Sequence, residues 1–150
     1  MKKYVILELI PTSSNKKTGD IIQLSALKLD GLNLIDRFDY RLNENKIKIP
    51  DLIEMISYDK DNFKYVDSTD KIIEEFKNWI EQLPLLIIDN SYTLSYLEDI
   101  NNKKESIFKH LNMSYSDDII EKIIKKYNLE PSNYIVDLLY EALIYESNKK

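Results

Sequence analysis

Few residues of this chain have the type and spacing that chemistry requires, and Glu8 is the first of them. It lies in YVILELIPTSS, residues 4–14, among Val5, Ile6, Leu7, Leu9 and Ile10. A carboxylate in so apolar a run costs free energy unless it is paired, hydrogen-bonded or at work. Residues i and i+2 of a strand share a face. An acid at position 10 would therefore stand beside Glu8, the arrangement that holds divalent ions for metal-assisted hydrolysis. Position 10 is Ile10. Glu8 then has three readings. It is a ligand of a weak single-metal site with Asp89 or Asp137, an acceptor for Thr12, Ser13 or nearby backbone, or a carboxylate in water at the open end of a sheet.

The remaining candidates are sparse. Asp89-Asn90 follow the apolar run LLIID and read first as a helix cap. Asp137, in NYIVDLLYEAL, reads first as a solvated helical residue. One histidine, His110, excludes a multi-His metal site within one chain; near a helix end it reads as exposed or as facing the helix dipole. There are no cysteines and only two glycines, so neither a thiolate nucleophile nor a Gly-rich phosphate loop is available. Eleven tyrosines are unusual. Tyr92, Tyr96, Tyr134, Tyr140 and Tyr145 occur at helical spacings and suit a core or an interface, where half of each ring stays wet.

Composition narrows the classes. The chain has 150 residues, 43% hydrophobic and 31% charged, which fits one soluble domain over residues 1–150 with a sizeable core. A net charge of −5 argues against a protein that works by neutralising phosphates, and base stacking on the tyrosines is disfavoured with it. No apolar run approaches the roughly 20 residues that span a bilayer. Glu8 interrupts the N-terminal apolar run and no small-residue cleavage site follows, so no secretory leader is expected. With the absence of cysteine this points to the cytoplasm. Heavy use of Ile, Lys and Asn, with Arg37 and Arg41 the sole arginines, points to an AT-rich genome, that of a low-GC bacterium or its phage.

Positioning Glu8 requires a sheet. Residues 4–10 read as a first strand and 18–31 contain a second of about ten residues, in which Ile22, Leu24, Ala26 and Lys28 alternate with Ile21, Gln23, Ser25, Leu27 and Leu29. Asp30-Gly31 signals a tight turn, and LNLIDRFDYRL is a third strand with Leu34, Phe38 and Tyr40 on one side. IKIPDLIEMIS places Pro50 where a short helix can begin. In VDSTDKIIEEFKNWIEQL, Ser68 or Thr69 caps a helix whose Ile72, Ile73, Phe76, Trp79, Ile80 and Leu83 recur at helical spacing. LLIID (85–89) is a strand buried on both faces, reached by a crossover and so parallel to the first. Helices follow at about 92–100 and 105–111. Another runs through SDDIIEKIIKKY, and a last one from Pro131 to about 147 has Ile135, Leu138, Leu139, Ala142 and Leu143 inward. The order βββαβααα describes an α/β fold, a mixed sheet flanked by helices.

That order and several segments resemble the DEDD family of 3′–5′ exonucleases, the group containing the proofreading epsilon subunit of DNA polymerase III, with an RNase H-like fold. The likeness runs over roughly residues 3–146. YVILELIPT resembles the first motif, apolar residues and then Asp-x-Glu-Thr-Thr. GDIIQLSALKLDG resembles the second strand, IKIPDLIEMIS the family's "IP-x-x-I" segment, and LLIIDNSYTLSYL the second motif, a strand then His-Asn-x-x-Phe-Asp-x-x-x-Leu. NYIVDLLYEAL stands where the third motif, His-x-x-x-x-Asp-Ala, falls. The resemblance implies an antiparallel β1-β2-β3 meander with a fourth strand parallel to the first, and two metals held by four acids. The positions equivalent to those acids are Glu8, Ile10, Thr93 and Leu138. His of the second motif becomes Asp89, that of the third falls near Asn133, and Asp137 is one residue off the third-motif aspartate.

One acid of four stands in place. The expectation is a degenerate exonuclease-fold protein that is catalytically inactive, needs no cofactor and acts by binding another protein. Two alternatives stay open. One is a divergent exonuclease on DNA or RNA that uses Mg²⁺ or Mn²⁺, with Glu8 as a metal ligand and Asp89, Asp137 or Glu141 in support. The other is a nucleic-acid binder that does not cleave. No membrane association is expected.

Overall fold

In the computed structural model, the structure describes residues 3–13, 17, 19–46, 63–88, 93–107, 117–129 and 135–148, with backbone alone at 117–120, 135–137 and 147–148. β1 (Lys3–Pro11), β2 (Ile21–Asp30) and β3 (Asn33–Leu42) form an antiparallel meander. A 3-10 turn at Glu44–Lys46 leads away from it. Then come β4 (Lys64–Val66), α1 (Thr69–Ile80), β5 (Leu85–Ile88), α2 (Thr93–Tyr96), β6 (Lys104–Ile107), α3 (Asp117–Tyr127) and α4 (Ile135–Asn148). The six strands make one mixed sheet in the order β4-β3-β2-β1-β5-β6, with β5 parallel to β1 as a helical crossover demands.

Strand alternation divides the core into two layers. Val5, Leu7 and Leu9 of β1 face α1, with Leu24, Ala26, Phe38, Leu85 and Ile87 around them. Tyr4 and Ile6 face the other way, onto Leu138, Leu139 and Ala142 of α4, together with Leu27, Leu29, Leu86 and Ile88. α1 forms because Ile72, Phe76 and Ile80 recur every four residues and bury one stripe. Its N-terminus is closed by Ser68, whose hydroxyl accepts from the Lys71 N–H at 3.1 Å. Trp79 seals the rim of this layer. Its indole N–H donates to Asp36 at 2.9 Å, and its ring lies beside Phe38 and Phe76 and under the Lys28 ammonium. On the opposite face Tyr4 and Tyr127 donate to the carbonyls of Gly31 and Leu32, clamping the β2–β3 turn, where Gly31 adopts the left-handed φ of 60° that a turn of this length uses.

The structure differs from the sequence expectations in four places. Leu34 does not share a side with Phe38 and Tyr40. A bulge pairs Leu29 with Leu34 directly after Lys28 with Asp36, making Ile35 the extra residue and turning Leu34 onto the α4 layer. Residues 104–107 are a strand and not part of a helix near 105–111, because β5 offers them an open parallel edge; residues 108–111 lie outside the described ones. The helix expected over 92–100 is a single turn followed by i→i+3 bonds, Leu97 to Leu94 and Ile100 to Leu97. β4 is a short additional strand beside β3. The expected helix in IKIPDLIEMIS and the start of the last helix at Pro131 fall outside the described residues. Among those described, no helix is long and apolar enough to cross a membrane.

Candidate functional site

The register around Glu8 defines the site. On the α4 side of the sheet, Glu8 pairs with Ser25 and Ser25 with Asp39, while one step on Ile10 pairs with Gln23 and Gln23 with Arg41. Two cross-strand rows therefore run over β1, β2 and β3 on one face, where Arg37 also points by the same alternation. Leu138 reaches this layer from α4 and is buried with Ile6 and Leu27. Thr93 opens the helical turn beyond β5 and is fully buried. The end of β1 that carries Glu8 and Ile10 is thus the end towards which parallel β5 also runs. Asp89 lies outside the described residues, and of Asp137 only the helical backbone is described.

Within these rows Gln23, Ser25 and Arg41 form a buried polar group. Arg41 is 2% exposed. Its Nε donates to Gln23 Oε1 at 2.9 Å, and Gln23 Nε2 donates to Ser25 Oγ at 2.9 Å. The guanidinium carbon lies 3.7 Å from the centre of the Phe63 ring, a stacking geometry suited to arginine. At the outer edge Arg37 Nε is 3.2 Å from Asp39 Oδ2, an ion pair whose angle does not make a hydrogen bond. Glu8, Arg41, Thr93 and Glu141 each take part in further interactions. Glu141, one turn beyond Leu138 on α4, is a buried acid.

Beside these rows the β1–β2 connection is pinned from the α1 side. Tyr96 donates to the Ser13 carbonyl at 2.8 Å, and burial raises its phenol above the ordinary pKa. Thr12 Oγ1 accepts from Asp20 N, while Thr69 Oγ1 donates to Asp20 Oδ1 and accepts from Ile21 N. Thr12 and Ser13, offered by the sequence as donors to Glu8, accept these bonds through the Thr12 hydroxyl oxygen and the Ser13 carbonyl.

A two-metal centre does not fit this donor set. Two divalent ions held roughly 4 Å apart need several hard oxygen ligands on one face. Ile10 and Leu138 bring hydrocarbon to two of the four positions and Thr93 a buried neutral hydroxyl, while a permanent cation, Arg41, occupies the neighbouring row. Among the described residues no three His, Cys, Asp or Glu side chains are grouped to hold a metal ion. Two cavities of about 440 Å³ each lie elsewhere. One is at the opposite end of β1 against Tyr4, Leu85, Lys103 and Tyr145, and the other is against Tyr40 and Trp79 on the α1 side.

Sequence reasoning named Glu8, Ile10, Thr93 and Leu138 and missed Gln23, Ser25 and Arg41. A signal for them existed. Gln23 and Ser25 alternate with Leu24 and Ala26 in a strand otherwise apolar, and the two arginines stand four apart on β3, hence on one face.

No protein-family model matches the chain. It is similar to the DNA polymerase III PolC-type protein of Bacillus cereus, with 23% identity over 109 residues that are 73% of this chain and 8% of that protein. Among solved structures it is similar to a product-bound exonuclease I, with a TM-score of 0.52 and 11% identity over 99% of this chain and 43% of that one. A second exonuclease I structure, in complex with the inhibitor BCBP, gives a TM-score of 0.50 and 10% identity over 97% of this chain and 41% of that one. The chain therefore spans less than half of each exonuclease I chain and a small fraction of the polymerase. Its fold is that of the RNase H-like DEDD 3′–5′ exonucleases, a mixed six-stranded sheet with an antiparallel meander and flanking helices.

Proposed function

We propose that this chain is an exonuclease-fold protein that does not cleave nucleic acid and acts by binding another protein. The observation that carries this reading is Ile10, which shares the face of Glu8 and pairs with Gln23 in a row ending at buried Arg41. Where paired carboxylates would have to converge, the sheet presents one acid, a hydrocarbon side chain and a neutral amide. The acidic net charge of −5 supports a protein partner over nucleic acid. The test is a nuclease assay with Mn²⁺ on single- and double-stranded DNA and on RNA. The expected result is no degradation beyond that of a Glu8→Ala control; robust degradation lost in that control overturns the reading.

A second reading, a divergent metal-dependent 3′–5′ exonuclease on DNA or RNA, is favoured by Glu141. It is an acid buried on the helix that carries Leu138, on the side of the sheet that carries Glu8. In that case Glu8 would be a metal ligand with Asp89, Asp137 or Glu141. The same assay, repeated with Glu141→Gln, separates the two: activity that needs both acids belongs to the second.

A further inference from the structure

We infer that the cavity at the end of β1 away from Glu8 docks an acidic segment of a partner protein, one that carries a large apolar side chain. The inference rests on the reading of this chain as a protein-binding one, and it names the surface and the chemistry of the partner. The cavity holds about 440 Å³, within the range of sites that enclose a ligand. It lies where Tyr4 of β1, Leu86 of β5 and Tyr145 of α4 meet, so its floor belongs to the apolar layer beneath α4. The Tyr4 and Tyr145 rings stand 5.7 Å apart, tilted by 54°. Tyrosine suits such a floor, because it offers a wide apolar ring while its hydroxyl stays hydrogen-bonded.

The rim carries charge opposite to that of the whole chain. Among the described residues, three lysines, Lys3, Lys103 and Lys104, line the cavity against one acid, Glu105. Lys3 and Lys103 are exposed, and neither has an ion-pair partner among the described residues. The Lys104 ammonium donates to the backbone carbonyls of Ile100 and Asn102, which do not cancel its charge. Glu105 is turned to Tyr145, whose hydroxyl donates to its Oε2 at 3.1 Å. Glu146 acts on the Tyr4 hydroxyl and is not among the lining residues. The rim is also built in advance. Asn102 Nδ2 donates to the carbonyls of Glu81 at 3.0 Å and Leu83 at 2.8 Å, and Leu85 N–H donates to the Lys103 carbonyl at 2.8 Å. A partner is spared the cost of ordering it. Lys104 and Glu105 belong to β6, the end strand of the sheet, and end strands are where extended segments add. A protein segment fits better than a nucleic acid. The net charge of −5 repels a long polyphosphate, whereas a short segment with a few carboxylates meets chiefly the local lysines.

The test is selection of short randomised peptides, displayed on phage, against the full chain, followed by fluorescence anisotropy with the enriched peptides. Enriched sequences are expected to place Asp or Glu beside Leu, Ile, Phe or Trp, and to bind less well as salt rises. Reversing two charges together, Lys3→Glu with Lys103→Glu, should weaken that binding roughly tenfold. Gln82→Phe, which fills the mouth of the cavity from an exposed position, should weaken it with no change of charge. Thermal unfolding checks that each variant keeps the fold; should one fail to fold, the other decides alone. No enriched peptide, enrichment without acids, or binding indifferent to either variant overturns the inference. Acidic peptides indifferent to both variants overturn this site and spare the protein-binding reading. Single-stranded DNA that binds the wild type and is lost with the two lysines also overturns it. Cleavage that needs Mn²⁺ and Glu8 sinks the non-catalytic reading and leaves the peptide result to judge this site.

Discussion

At Tyr4 the phenol is taken out of water, and its pKa rises well above the ordinary value of 10, first through burial and then through the nearby Glu146 carboxylate. Tyr96 and Tyr127 are raised by burial as well. The sign of the consequence follows from proton counting. Above pH 10 the unfolded chain loses these phenolic protons while the folded chain keeps them, so stability is intact below about 10 and falls as pH rises towards the folded values. Urea unfolding from pH 9 to 11.5 should therefore show a decline that Tyr4→Phe makes shallower; an unchanged slope would show that Tyr4 does not contribute. The same three hydroxyls hold turns in place, Tyr4 at Gly31, Tyr127 at Leu32 and Tyr96 at Ser13. They account for part of the tyrosine excess by local structure and not by ligand binding.

Among the elements, α1 carries one side of the sheet. Phe76 is fully buried between Phe38 and Trp79, so Phe76→Ala should cost about 3–5 kcal/mol in denaturant unfolding, the range for an aromatic cavity in a packed core. A loss under about 1 kcal/mol would mean that the α1 layer is not packed in this way. α1 was legible from its 3.6-residue period, and β1, β2, β3 and β5 from alternation and apolar runs. β6 was not, because KESI carries little strand preference of its own and becomes a strand through the edge that β5 presents. The facing of Leu34 was hidden for a related reason. A bulge shifts register without any glycine or proline to announce it. At the site, Glu8 and Ile10 were legible because period-two alternation is rigid. Arg41 escaped notice because its significance depends on the pairing of three strands, which no local window of sequence contains.

For the whole molecule, charge and fold pull in different directions. The sheet is that of an exonuclease, yet the chain carries −5 overall and its β3 arginines are engaged within the protein. Fluorescence anisotropy with labelled single-stranded DNA at low salt should show no binding; a salt-sensitive rise in anisotropy would favour the nucleic-acid alternative. The packing at the rim of the α1 layer has a practical consequence for all of these measurements. Trp79 is the chain's single tryptophan, and its half-buried indole is bordered by Lys28, Asp36, Phe38 and Phe76. Its emission is therefore a one-site optical gauge of whether the first long helix is seated on the sheet. Release of that helix should shift the spectrum to the red before or together with the loss of far-ultraviolet circular dichroism, and the order of the two signals reads out which layer of the molecule opens first.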